Sequence, residues 1–159
     1  MTNAHTTGHE ILVEVSGYPV AVDRMYHADS HMWVKRLTPG TVRVGLDALG
    51  VETSGTLAQL SFVAVGDELA RGRAFGQLEA AKFVGPLVSP VSGTVSRTND
   101  AVVTDPGVAE HDPYGEGWLV ELTSADETEL ADLLGTPEAI TEWFGRTVED
   151  YRLRGVIAE

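Results

Sequence analysis

Apolar residues recur along this chain in short runs with the two-residue period of β-strands, and glycine or proline interrupts almost every run. Residues 1–9 are polar and are expected to be disordered. Ile11 to Val15 alternates as I-L-V-E-V, Ser16-Gly17-Tyr18-Pro19 is a turn cluster, and Val20 to Val22 resumes the apolar pattern. Residues 10–25 are therefore predicted to form a hairpin ahead of the main body. From Tyr26, two strands joined at Thr38-Pro39-Gly40 run to Leu46, and Asp47 to Gly50 suits one helical turn. Leu57 to Val63 alternates as a further strand, after which Gly66-Asp67 and Gly72 punctuate short segments. Gly93 to Arg97 and Leu119 to Leu122 complete the set. Many short strands separated by turn residues predict a mainly β fold, a small β-sandwich or flattened barrel, rather than a parallel sheet with helices.

Near the C-terminus the period changes. Ser124-Ala125-Asp126-Glu127 has the form of a capping box, with serine and glutamate satisfying free amides, and predicts a short helix to Leu134 that stops at Gly135. Thr136-Pro137-Glu138 opens a second helix by the N-cap and N1-proline rule. Its Ile140, Phe144, Val148 and Tyr151 are spaced by four and three, which makes one apolar stripe suited to packing on the sandwich. Asn99 to Asp112, centred on Asp105-Pro106-Gly107, reads as a polar, acidic connection. The chain thus divides into a hairpin extension over 10–25, a domain over 26–134 and a C-terminal helix over 135–159.

At 159 residues the chain suits one domain that buries a core without staples. It has no cysteine, so neither disulfides nor thiol chemistry can come from the protein itself. A net charge of -13 argues against nucleic acid and against anionic membranes, and fits a protein that meets basic partner surfaces. The N-terminus lacks a basic stretch followed by an apolar one, and no apolar run could span a bilayer, so a soluble, cytoplasmic protein is expected.

Against this acidic background one lysine stands out. The chain has two, Lys35 and Lys82, and Lys82 is the sole charge between Ala80 and Ser96. Strand-like runs, Ala74 to Leu78 and Leu87 to Val91, flank it, and Gly85-Pro86 marks a break between them. Lys82 is therefore expected near the tip of a hairpin. A lysine on such a post suits a swinging-arm carrier, in which a tethered cofactor does the chemistry at high effective concentration.

The pattern resembles the biotinyl and lipoyl carrier superfamily, through Val65-Gly66-Asp67, Gly72, Glu79, Lys82 and Ser89-Pro90-Val91-Ser92-Gly93-Thr94-Val95. Biotin acceptors have methionine on both sides of the lysine, whereas Ala81 and Phe83 stand here, which disfavours biotin. The rest of the chain resembles glycine cleavage H proteins. Ser30-His31-Met32-Trp33-Val34 matches S-H-E-W-V, Val44-Gly45-Leu46-Asp47 matches V-G-I-T, and Gly76-x-x-Glu79-x-x-Lys82 matches G-x-x-E-S-V-K. Asp112-Pro113-Tyr114-Gly115-Glu116-Gly117-Trp118-Leu119 matches D-P-Y-G-x-G-W-L, and the likeness runs from Tyr26 to Leu134. The resemblance implies a barrel-sandwich hybrid without catalytic residues of its own. It further implies lipoate in amide linkage on Lys82, with Glu79 recognised by a lipoate ligase or lipoyltransferase. Gly76, Phe83, Gly85, Pro86, Ser30, His31 and Met32 are then expected around the cofactor, and dihydrolipoamide dehydrogenase is an implied partner. Without cysteine, the carrier cannot trap the dithiol in a mixed disulfide.

The departures bear on the cargo. The family shelters an aminomethyl cation with the glutamate of S-H-E-W and an aspartate four residues beyond the lysine. Met32 and Pro86 occupy those positions, Gly85 replaces a serine, and neither Met32 nor Pro86 has a side chain that accepts a hydrogen bond from a buried amine. Lys82-Phe83-Val84-Gly85-Pro86 resembles instead H-like lipoate-binding proteins of sulfur oxidation. That likeness implies an uncharged, sulfur-bound cargo and a heterodisulfide-reductase-like partner complex. The alternatives are an authentic glycine cleavage carrier serving glycine decarboxylase and aminomethyltransferase, a biotinyl carrier, or an unmodified binding module. His27 and His31, at i and i+4, would suit a metal pair, but no third ligand stands at a suitable spacing and structural zinc takes four, so no metal is expected. Trp33 and Trp118 are expected in the core.

Overall fold

The alternating runs become strands whose inward residues meet between sheets. In the computed structural model, which describes residues 4–7 and 10–158, the order begins β1 (Ala4–Thr7), β2 (Glu10–Val15), β3 (Tyr18–Ala21), β4 (Met25–His27), β5 (Met32–Thr38) and β6 (Thr41–Leu46). It continues with α1 (Ala48–Ser54), β7 (Leu57–Phe62), β8 (Glu68–Leu69), β9 (Ala74–Ala80), β10 (Val84–Val88) and β11 (Gly93–Thr98). The remainder is α2 (Asp100–Thr104), α3 (Gly107–His111), β12 (Val120–Thr123), α4 (Glu127–Leu130) and α5 (Pro137–Leu153). The mainly β expectation, with helices at the C-terminal end, matches this architecture.

Two antiparallel sheets enclose the main core, one ordered β10-β9-β7 and the other β4-β5-β6-β12-β11-β8. Val34, Val42 and Val44 from the larger sheet meet Leu60, Phe75, Leu78 and Leu87 from the smaller, all buried. Gly76 packs there without a side chain, because a Cβ would run into the Ser61 carbonyl of β7. The third sheet, β1-β2-β3, is the N-terminal extension. A second apolar cluster forms where α5 lays its stripe down: Ile140, Phe144 and Val148 are fully buried among Val20, Tyr26, Trp33 and Leu49. The stripe thus packs chiefly on the extension, Trp33 and α1. Trp118 is buried as well, with the Arg43 guanidinium over its ring at 4.7 Å. Among the described residues, no helix is long and apolar enough to cross a membrane.

Several local expectations change. Of the residues expected to be disordered, Ala4–Thr7 pairs antiparallel with β2, and residues 1–3, 8 and 9 lie outside those described. Gly85-Pro86 is not the turn. Both lie within β10, opposite Leu78 and Gln77. A proline lacks the N–H of an inner strand, but β10 is an outer strand of its sheet, where none is required. Ser124 is not the helix cap either: its φ of 55° is left-handed, whereas an N-cap is extended. Asp126 caps α4 through Thr128 N and Glu129 N, while the Glu127 carboxylate receives Arg36 at 2.7 and 3.0 Å. That helix ends at Leu130, because the chain turns to pair Leu134 with Tyr26 through two backbone hydrogen bonds of 2.9 and 3.0 Å. The acidic connection 99–112 contains α2 and α3, each five residues long, capped by Asn99 in the first case and burying Val102 and Ala109. Helices this short carry too few residues for a period to register.

Candidate functional site

Lys82 sits in a tighter turn than expected. Ala80 N donates to Phe83 O at 2.8 Å, so Ala81 and Lys82 form a two-residue turn inside that pair, and Phe83 leads into β10. The turn is also pinned from outside the hairpin, because Lys82 N donates to Ser54 O at 2.8 Å and Ala81 N to Thr56 O at 2.9 Å. Gly55 makes this approach possible: its φ is 78°, and a Cβ there would stand 3.2 Å from both Ala81 Cβ and Lys82 Cγ. The post is therefore the hairpin together with the C-terminal end of α1. The Lys82 side chain is exposed, and its ammonium makes no hydrogen bond or ion pair among the described residues.

The lysine borders a groove of about 550 Å3, a size suited to a small ligand. Met32, Leu46, Leu78, Phe83, Pro86 and Leu87 supply its apolar lining, and Ser30, His31, Thr53 and Tyr151 its polar one. Of the nine residues expected around the cofactor, Lys82, Phe83, Pro86, Ser30, His31 and Met32 line this groove. Gly85 is covered by the Phe83 ring, whose Cζ would be 2.9 Å from a Cβ at that position. Glu79 is exposed and faces away from the buried Leu78 beside it, opposite Val84 across the hairpin. Gly76 lies farther down β9, in the contact with β7. The unbound amine, the braced turn and the apolar groove fit a lysine-linked cofactor with a hydrophobic arm.

The polar wall is organised by Asp47, which is fully buried. Its Oδ1 accepts from Gly50 N at 2.8 Å and caps α1, while its Oδ2 lies 2.9 Å from His31 Nδ1. An ionised carboxylate only accepts, so His31 carries its proton on Nδ1 and offers the Nε2 lone pair. The Tyr151 hydroxyl, at 2.9 Å, donates to it. Burial raises the Tyr151 phenol above the usual tyrosine value, so it stays neutral. His31 is itself left-handed at φ 58°, an unusual backbone held by Asp47 N donating to His31 O at 2.8 Å. His27 turns to the Ser30 hydroxyl at 2.8 Å. His27 and His31 thus each have a hydrogen-bonding role of their own.

Asp47, Gly55, Leu46 and Tyr151 belong to the site although the sequence did not place them there; Leu46 and Asp47 stood only in a motif match and Tyr151 only in the helix stripe. Asp47 carries a local signal, an aspartate just before Ala-Leu-Gly at a helix start. Tyr151 carries only a misleading one, as the last member of the apolar stripe. Asp47→Ala is expected to destabilise the protein by about 2–4 kcal/mol, combining a lost cap with an unpaired buried histidine. The check is the urea midpoint at unchanged slope. Asp47→Asn, which retains an acceptor for the cap, should recover part of the loss, and a midpoint unchanged in Asp47→Ala would refute the linking role.

The chain matches the glycine cleavage H-protein family over residues 25–145. It is 38% identical over 112 residues to the glycine cleavage system H protein of Mycobacterium leprae, covering 70% of this chain and 85% of that protein. It is 39% identical over 112 residues to the corresponding protein of a Cyanothece species, covering 70% of this chain and 86% of the relative. The crystal structure of a glycine cleavage system H protein from Mycobacterium marinum superposes with a TM-score of 0.67 at 32% identity, covering 80% of this chain and 98% of that one. Fold, motifs and these likenesses agree: the chain belongs to the glycine cleavage H-protein family, whose members are carriers rather than catalysts and hold lipoate covalently on a lysine.

Proposed function

We propose that this protein carries lipoate on Lys82 and works as the H protein of a glycine cleavage system, receiving an aminomethyl group from glycine decarboxylase and yielding it to an aminomethyltransferase. The observation that carries this reading is the exposed, unpaired Lys82 on a two-residue turn braced by α1 at the edge of an apolar groove. Lipoate supplies a disulfide that opens to a dithiol, and dihydrolipoamide dehydrogenase closes it again. The chain's own part is to hold the attachment point rigid, offer Glu79 to the lipoate ligase and shelter the cargo. The names of the relatives support glycine cleavage as the setting. In the test, lipoylated protein is incubated with glycine, pyridoxal phosphate-loaded glycine decarboxylase and no acceptor. An aminomethyl increment on the Lys82 peptide is the expected result, and its absence would overturn the reading.

One observation favours a second reading. Met32 and Pro86 line the groove where the amine-binding carboxylates of the family would stand, so an uncharged, sulfur-bound cargo for a heterodisulfide-reductase-like complex also fits. Under that reading the natural protein takes up no aminomethyl group, and Met32→Glu combined with Pro86→Asp creates uptake. Equal uptake by natural and doubly substituted proteins would exclude it.

A further inference from the structure

The helix that lies partly beyond the family match reaches into the site. The match ends at residue 145, whereas α5 continues to Leu153 and brings Tyr151 to the groove wall. The same residue also borders a second hollow of about 420 Å3, shared with Asp29, Trp143, Arg146 and Arg154. Asp29 lines both spaces and is exposed. Among the described residues it is the one carboxylate lining the groove, and the buried Asp47 behind the wall has both oxygens engaged.

The hydrogen-bond chain decides what Tyr151 can do. Asp47 Oδ2 lies 2.9 Å from His31 Nδ1 and the Tyr151 hydroxyl 2.9 Å from Nε2, so a ring that donates from Nδ1 to the carboxylate accepts at Nε2 the hydrogen bond that the phenol donates. With its one hydrogen used, the phenol oxygen meets a ligand as an acceptor. An acceptor gains from a group rich in N–H donors and gains little from a disulfide or a thioether. Charge-assisted bonds of this kind are the stronger class. Position and polarity together therefore supply what Met32 and Pro86 remove.

We infer that Tyr151, held as an acceptor by His31 and Asp47, is a specificity-determining residue which, with the Asp29 carboxylate, takes the ammonium end of the aminomethyl cargo. The assignment rests on the glycine cleavage reading above. It also gives the C-terminal helix a task in the site besides packing. The amine is retained by hydrogen bonds from its N–H groups to the phenol oxygen and to Asp29, which slows its loss to water. In that loss, water adds its oxygen to the methylene carbon, the S–C and C–N bonds both break, and the two water protons go one to the sulfur and one to the departing amine. The products are the thiol, formaldehyde and ammonium.

Two measurements test it. In the unmodified protein, nitrogen NMR of His31 is expected to show the Nδ1–H tautomer. An Nε2–H tautomer would mean that histidine donates to the phenol, and would overturn the acceptor assignment. In the lipoylated, aminomethyl-loaded protein, Tyr151→Phe is expected to speed formaldehyde release about tenfold, the scale of one hydrogen bond to a charged group. Asp29→Asn should speed release as well, while alkylation of the free dithiol by iodoacetamide stays unchanged in both variants. Release at the natural rate in Tyr151→Phe overturns the tyrosine assignment alone. A natural protein that is lipoylated yet takes up no aminomethyl group overturns the glycine cleavage reading, and this inference with it.

Discussion

Lys82→Arg is expected to abolish lipoate attachment and all carrier activity while leaving stability within about 0.5 kcal/mol of the natural protein. The guanidinium keeps the positive charge but stays protonated, so it has no free electron pair with which to form an amide. Stability should not move, because the side chain is exposed and its ammonium has no partner among the described residues. The backbone bonds from Lys82 N to Ser54 O and from Ala81 N to Thr56 O survive the exchange. Lys35 cannot stand in: it lies on β5, half-buried and 3.5 Å from Asp23. Trypsin provides the readout. In protein from its native host, an acylated Lys82 resists cleavage and leaves Ala74 to Arg97 whole, with a mass increment that distinguishes lipoate from biotin. Finding only the unmodified peptide Ala74 to Lys82 would defeat both carrier readings and favour a binding module. Carrier activity retained by Lys82→Arg would show that the arm is attached elsewhere.

Phe144→Ala is expected to destabilise the protein by about 3–5 kcal/mol, the usual cost of emptying a fully buried aromatic site. Phe144 is central to the second cluster, with Tyr18 at 6.2 Å and Trp143 at 5.7 Å between ring centroids, both edge-on. For a chain of this length the loss corresponds to roughly 10 °C in the thermal midpoint. The effect should extend to the groove, since Tyr151 lies about two helical turns farther along α5. Loosening that helix weakens the Tyr151–His31 bond, so the His31 imidazole resonances should shift in the folded variant. A midpoint lowered by less than about 2 °C would mean that α5 contributes little to the fold.

The hairpin that presents Lys82 could be located from sequence because its determinants are local. A solitary lysine, two alternating flanks and the fixed spacing to Ser89-Pro90-Val91-Ser92-Gly93 lie within one hairpin. The details of the turn were less legible. Gly85-Pro86 has the composition of a turn, and only its place on an outer strand makes it compatible with β10. The true turn, Ala81-Lys82, contains no turn-forming residue and is held by carbonyls of Ser54 and Thr56, twenty-five or more positions earlier. No local pattern could announce those partners. The capping error at Ser124 has a similar origin: Glu127 suits a capping box but pairs with Arg36 on β5.

By itself, then, the sequence determined the strand-rich architecture, the C-terminal helix, the lysine and the family. Alternation, proline and glycine act over a few residues, and family motifs are written in consecutive letters. The tertiary structure decided the groove, since its walls come from β5, β10, α1 and α5. It also decided that Tyr151, spaced like a core residue, ends the helix stripe as a hydrogen-bonding wall against His31. A helical period states which residues share a face; what that face meets depends on how distant elements pack.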